Sequence, residues 1–277
     1  MNRRMSKLRV GWLGLGVVAV PVVLVAVSVG VFAALRSPAP PIPDEFLPEL
    51  VRVPAGQMAM ATADAAPVAE RSGDPPRVVF ERPFYIGKFE VTFAQWDYCH
   101  QAGACAHRPD DNGWGRGDRP VINVSWDDIA QYVRWLSDAT GDPYRLPTEH
   151  EWEYAARAGS DEPFEQPQLF TDKRLAWASD YALVPRPTRK TSPVGSDDGN
   201  AFGIFGIRGN VWEWTDSCWH RTYAQEGGSV FRENCGIRIL QGEHQSFMQT
   251  FLREIGSGGC SVKPMPGNFG FRVLLES

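Results

Sequence analysis

The sequence predicts one α+β domain, loop-rich, set behind an N-terminal apolar segment. Capping residues announce three short helices, the later strand signals are brief and broken by Pro and Gly, and composition allows a real core. Of 277 residues, 43% are hydrophobic and 12% aromatic, which suits a buried interior and excludes general disorder. No internal repeat is visible. Three parts follow: residues 1–36 as a membrane anchor or signal segment, 37–46 as a Pro-rich spacer, and 47–277 as the domain.

Val10 to Leu35 holds 26 consecutive uncharged residues, whereas roughly 20 apolar residues cross a bilayer as a helix. The apolar cores of cleaved leaders run only about 7 to 15 residues. An uncleaved anchor is therefore expected, with Val31-Phe32-Ala33 leaving a processing site open. A membrane helix tolerates Pro21. Arg3, Arg4, Lys7 and Arg9 precede the segment, so its N-terminus is expected in the cytoplasm and the domain in the periplasm or outside the cell. The five basic residues up to Arg36 are the only charges there, so the remainder carries −10 against −5 for the whole chain. An acidic body argues against a nucleic-acid partner. Ser37 to Pro43 (SPAPPIP) reads as an extended spacer, because its prolines fix φ and remove donors.

The first helix opens at Thr92, whose partner Gln95 completes a capping-box pattern, and runs to about Gln101. The second opens at Ser125 with Asp128. Its Ile129, Tyr132, Val133 and Leu136 follow the i, i+3, i+4, i+7 spacing of one buried face, and Gly141 stops it. Thr148 with Glu151 opens the third, which Gly159 ends. Ala59 to Ala69 reads as a surface loop. Beyond Gly159, Val211 to Thr215, Ile237 to Leu240 and Phe269 to Leu275 read as short strands among long loops.

An extracytoplasmic placement permits disulfides. Two local bridges are expected, Cys99 with Cys105 and Cys218 with Cys235, each contributing about 2 to 3 kcal/mol in the chain-entropy model. Cys260 is left over, and other pairings stay open. Trp96, Trp126, Trp135 and Trp152 read as core anchors. Trp212 and Trp214 flank Glu213, which is then either buried against a partner or holding a cation. There is no Gly-rich phosphate loop, no GxSxG elbow, no HExxH and no CxxC, which sets aside those hydrolase, zinc and dithiol classes. His100, His107, His150, His220 and His244 read as solvated or structural.

Pro120 to Gly159 (PVINVSWDDIAQYVRWLSDATGDPYRLPTEHEWEYAARAG) resembles the most diagnostic stretch of the formylglycine-generating enzyme family of sulfatase-modifying factors. Phe84 to Cys99, NAFGIFGIRGNVWEW and the terminal GNFGFRV extend the likeness over nearly everything beyond the spacer. The resemblance implies the family's variant of the C-type-lectin fold. It also implies oxidation of a substrate cysteine to formylglycine by a copper-binding cysteine pair, since thiolates hold Cu(I) strongly. In the matching stretch, Gln241 to Gly256, the two cysteine positions hold Phe247 and Leu252, so copper is not expected. Glu243, His244 and Arg253 are the weak catalytic candidates there. A structural calcium ion is implied around GNVWEW, with Glu213 and the carbonyls of Gly209 and Val211 as a partial ligand set. Gly206 stands where the family offers Asp or Asn.

Three functions compete. The first is a non-catalytic binding or assembly module facing a protein partner at the membrane surface. The second is a maturation enzyme of the same superfamily with altered oxidative chemistry, its pocket gathering Glu243, His244 and Arg253. The third is ordinary sulfatase activation, which Phe247 and Leu252 oppose.

Overall fold

The computed structural model describes residues 41–59, 77–160, 190–225, 228–242, 246–249 and 268–276, all within the compact unit Pro38–Ser277. The expected anchor at 10–35 lies outside the described residues, as do most of Ala59 to Ala69 and Glu243, His244, Leu252, Arg253 and Cys260. Among the described residues no helix is long and apolar enough to cross a membrane.

A 3-10 turn, Asp44–Phe46, leads into strands β1 (Leu50–Val53), β2 (Gly56–Ala59), β3 (Arg77–Phe80) and β4 (Phe84–Gly87). Helix α1 (Phe93–Gln101) follows with the full Thr92–Gln95 capping box, and α2 (Trp126–Thr140) with that of Ser125 and Asp128. Reciprocal caps of this kind satisfy first-turn N–H groups that have no partner within the helix. α2 buries Ile129, Tyr132 and Leu136 and stops at Gly141, whose φ of 80° is the left-handed cap. After β5 (Tyr144–Arg145), α3 (Glu149–Arg157) is capped by Thr148 and Glu151 and closes one residue earlier than expected, on left-handed Ala158.

The strands beyond α3 differ from the reading of the sequence. Val211 to Thr215 is the root of a 14-residue strand, β6 (Trp212–Gln225), and Ile237 to Leu240 the root of an equally long β7 (Gly228–Gln241). The root of the hairpin is buried on both faces, whereas residues 230 to 236 are exposed, so no apolar alternation marks them. Phe269 to Leu275 is two strands, β9 (Phe269–Gly270) and β10 (Leu274–Leu275), which join different sheets.

One sheet runs β1-β4-β10-β5, a second pairs β2 with β3, and the third runs β8-β7-β6-β9, where β8 is Ser246–Gln249. β6 and β9 are parallel, and the other pairs are antiparallel. Two apolar clusters fill the interior. One gathers Trp96, Tyr132, Trp214 and Phe271, with Tyr132 stacked on Trp96 at 5.7 Å. The other gathers Met58, Ile86, Trp152 and Leu274. Trp126 and Trp135 pack against the first cluster only part-buried, so they edge the core.

Candidate functional site

Phe271 to Val273 span the step from one sheet to the other, and Arg272 is fully buried there. A buried guanidinium is tolerated only with its charge and donors met. Glu213, from the root of β6, meets them: Nε donates to Oε2 at 2.6 Å and Nη2 to Oε1 at 2.7 Å. The remaining donors reach the carbonyls of Gly87 and Phe205, each at 2.9 Å. Trp152 Nε1 adds a bond to Glu213 Oε2 at 2.8 Å. Burial alone would lower the Arg272 pKa; Glu213 more than offsets it, and the guanidinium is held charged. Glu213 thus fastens Trp152 of one apolar cluster to the β6 tryptophans of the other.

A second buried carboxylate lies beside this pair. Glu90 is 1% exposed, and its Oε1 accepts from Asn210 Nδ2 at 3.0 Å. Oε2 has no hydrogen-bond partner. Burial raises its pKa to about 7, with Arg272 lowering it and Glu213 raising it. Gly206 makes the room. Its φ is +70°, and a Cβ built there would stand 2.3 Å from Glu90 Oε1 and 2.4 Å from Oε2. The space that a side chain at 206 would take is filled by the Glu90 carboxylate.

The calcium set expected from Gly209, Val211 and Glu213 does not fit this arrangement. Both Glu213 oxygens accept N–H bonds from a guanidinium, and the Gly209 carbonyl accepts from Val211 N at 2.7 Å. A dication at Glu213 would face Arg272 at contact distance. The open acceptor of this centre is Glu90 Oε2.

Beyond the root, β6 and β7 form a two-stranded ribbon in which Trp219 to Gln225 pair with Gly228 to Asn234. Phe231 is 61% exposed there, and Cys218 and Cys235 bridge its base. The His220 ring stacks on Phe231 at 5.6 Å, and its Nδ1 lies 3.5 Å from Oε1 of buried Glu149 at the start of α3. Arg238 lies over the Trp126 ring at 4.0 Å and bonds Asp216.

A family model, the sulfatase-modifying factor enzyme 1-like domain, matches residues 37–277. The chain belongs to this FGE-sulfatase family. It is 26% identical over 314 residues to the formylglycine-generating enzyme of Streptomyces coelicolor, covering 88% of this chain and 95% of the relative. It is 33% identical over 129 residues to the mouse protein named inactive C-alpha-formylglycine-generating enzyme 2, covering 44% of this chain and 36% of that one. Among solved structures, PvdO from Pseudomonas aeruginosa superposes with a TM-score of 0.57 at 28% identity, covering 87% of this chain and all of PvdO. The family thus holds relatives named for the activity and one named for its absence.

The four cysteines of the described residues form the two expected bridges, Cys99–Cys105 and Cys218–Cys235. None of these four offers a free thiolate for a copper centre. Phe247 lies on β8 opposite Ile239. Glu90, Arg272 and the Glu149–His220 contact escaped the sequence reading. Arg272 sits in the GFR motif itself, but its partner Glu213 is 59 positions away, which no local pattern encodes.

Proposed function

We propose that this FGE-sulfatase domain is tethered to a membrane through residues 10–35, stands outside the cytoplasm, and works as a non-catalytic binding or assembly subunit of a membrane-bound complex. The observation that carries the reading is the state of sulfur and charge in the scaffold. Every described cysteine is in a disulfide, and Glu213 is neutralised internally by Arg272; the reading further takes Phe247 and Leu252 to stand at the positions that the resemblance matches to the family's copper ligands. What such a scaffold offers a partner is surface, and the ribbon carries two of the three exposed large apolar side chains among the described residues, Val230 and Phe231. A calcium ion, where the domain takes one, is assigned to Glu90 and not to Glu213.

The test is incubation of the protein with copper and a CxPxR-type peptide, read by mass spectrometry. Unchanged peptide agrees with the proposal; formylglycine overturns it. A second reading, a maturation enzyme acting on an exported protein or small molecule with altered oxidative chemistry, is supported by part-buried His220, whose Nδ1 lies 3.5 Å from buried Glu149 and 3.4 Å from the Cys218 carbonyl. Carboxylate-oriented imidazoles of this kind can move protons.

A further inference from the structure

The two disulfides sit in opposite surroundings. Cys99 and Cys105 are 0% and 1% exposed inside the core, whereas Cys218 is part-buried and Cys235 exposed at the root of the ribbon. Beside the second pair, a Glu233 carboxylate oxygen lies within 4.8 Å of both sulfurs. That carboxylate does nothing for a disulfide, which carries no charge, and it would repel two thiolates. A dication reverses the sign of the arrangement: two thiolates and a carboxylate become three converging ligands. His220 is directly opposite Glu233 in the hairpin register, where Cβ atoms stand about 4.5 to 5.5 Å apart. The ring stands outside that cluster of three; its Nδ1 lies 3.4 Å from the Cys218 carbonyl and 3.5 Å from Glu149 Oε1, leaving Nε2 for a ligand role, and a carbonyl or carboxylate on the other ring nitrogen is the usual support of a metal-bound histidine. The nearby cation, Arg238, bonds Asp216 and lies over Trp126, and it reaches Glu233 only through space, after Asp216.

We propose that Cys218, Cys235 and Glu233, with His220 as fourth donor, form a redox-gated site for a tetrahedral divalent ion of the zinc type, closed by the disulfide and opened by reduction. Opening transfers two electrons and two protons from a dithiol to the Cys218–Cys235 bond, the dithiol leaving as its own disulfide. Binding then releases the two thiol protons to solvent as two metal–sulfur bonds form. The flanking pairs Trp219–Asn234 and His220–Glu233 hold the backbones in register while the sulfurs separate. This site shares the ribbon with the partner-binding role proposed above, since the His220 ring stacks on Phe231, but it does not rest on that role.

The test uses the full-length protein in detergent, in a Cys260→Ser background, reduced with a phosphine and titrated with Co2+ and then Zn2+. Expected is one ion per chain, a sulfur-to-cobalt charge-transfer band displaced by zinc, and no uptake by the oxidised protein. Cys218→Ser/Cys235→Ser should abolish uptake while the far-ultraviolet circular dichroism is kept. Glu233→Ala should weaken it more than about 10-fold, and Glu149→Gln by about 10-fold through the orientation of His220. Reduced protein that takes up no stoichiometric ion, uptake surviving in the double serine variant, or unchanged affinity in Glu233→Ala would each overturn the proposal.

Discussion

The hairpin of β6 and β7 is two different structures along one pair of strands. At its root, Trp212 to Thr215 are buried on both faces, and Glu213 is locked to Arg272 and Trp152. Past the bulges between Trp214 and Trp219, the same strands leave the core and present Phe231, Glu233 and Cys235 to solvent. The root has its charges met within the protein; the ribbon leaves its groups to be met from outside. Stability and function are therefore separable along one element, and the variants below are chosen to break that separation.

The largest effect is expected at the root. Arg272→Met leaves Glu213 buried without its cation and should destabilise by about 3 to 5 kcal/mol, read by chemical denaturation; a loss below about 1 kcal/mol would mean the centre is wetter than it is drawn. Next comes Gly206→Ala. Its Cβ meets the Glu90 carboxylate at 2.3 Å with φ at +70°, so a loss of about 1 to 3 kcal/mol is expected.

Glu90 gives the root a pH dependence of definite sign. Its pKa is about 7 in the fold against the ordinary 4.5, so the folded state binds the proton more tightly. That contribution to stability is complete below pH 4.5 and is lost as pH rises through about 7. Thermal unfolding followed between pH 4.5 and 8 should show the midpoint falling with pH, and Glu90→Gln should flatten the profile. Calcium that stabilises wild type at pH 8 but not Glu90→Gln would mark Glu90 as its ligand.

Cys218→Ser/Cys235→Ser should change global stability by less than about 1 kcal/mol, below the roughly 2 to 3 kcal/mol of the chain-entropy expectation, because the bridge closes only the exposed ribbon. The ribbon opens as a local unit, so amide exchange should rise from Trp219 to Asn234 and stay unchanged in α2. Faster exchange in α2 would show that the ribbon and the core are one cooperative unit.

How much of this was legible follows from where each signal resides. The three helices were readable from Thr92, Ser125 and Thr148, because a capping box is written within four residues. The two disulfide pairings were readable from proximity in the chain. Strands β1 to β3 were missed because each is only four residues long, too short for a period of two to stand out. The ribbon was missed for the opposite reason, its exposed half carrying no alternation. Glu213 was recognised as buried against a partner or a cation, and the partner proved to be Arg272. That choice depended on chain crossing between sheets, as did Glu90 filling the space at Gly206. The resemblance located the fold; it put calcium on Glu213, whose oxygens are taken here by Arg272 and Trp152.

Phe231→Asp should have the smallest effect on the fold, within about 0.5 kcal/mol, because the residue is 61% exposed. It is also the most direct probe of the central claim, that a closed scaffold serves an open binding ribbon. Native purification from detergent-solubilised membranes should yield a stoichiometric complex with wild type, and Phe231→Asp should emerge folded but without its partner. A wild-type protein that purifies as a free monomer, or a complex that survives Phe231→Asp unchanged, would contradict the account.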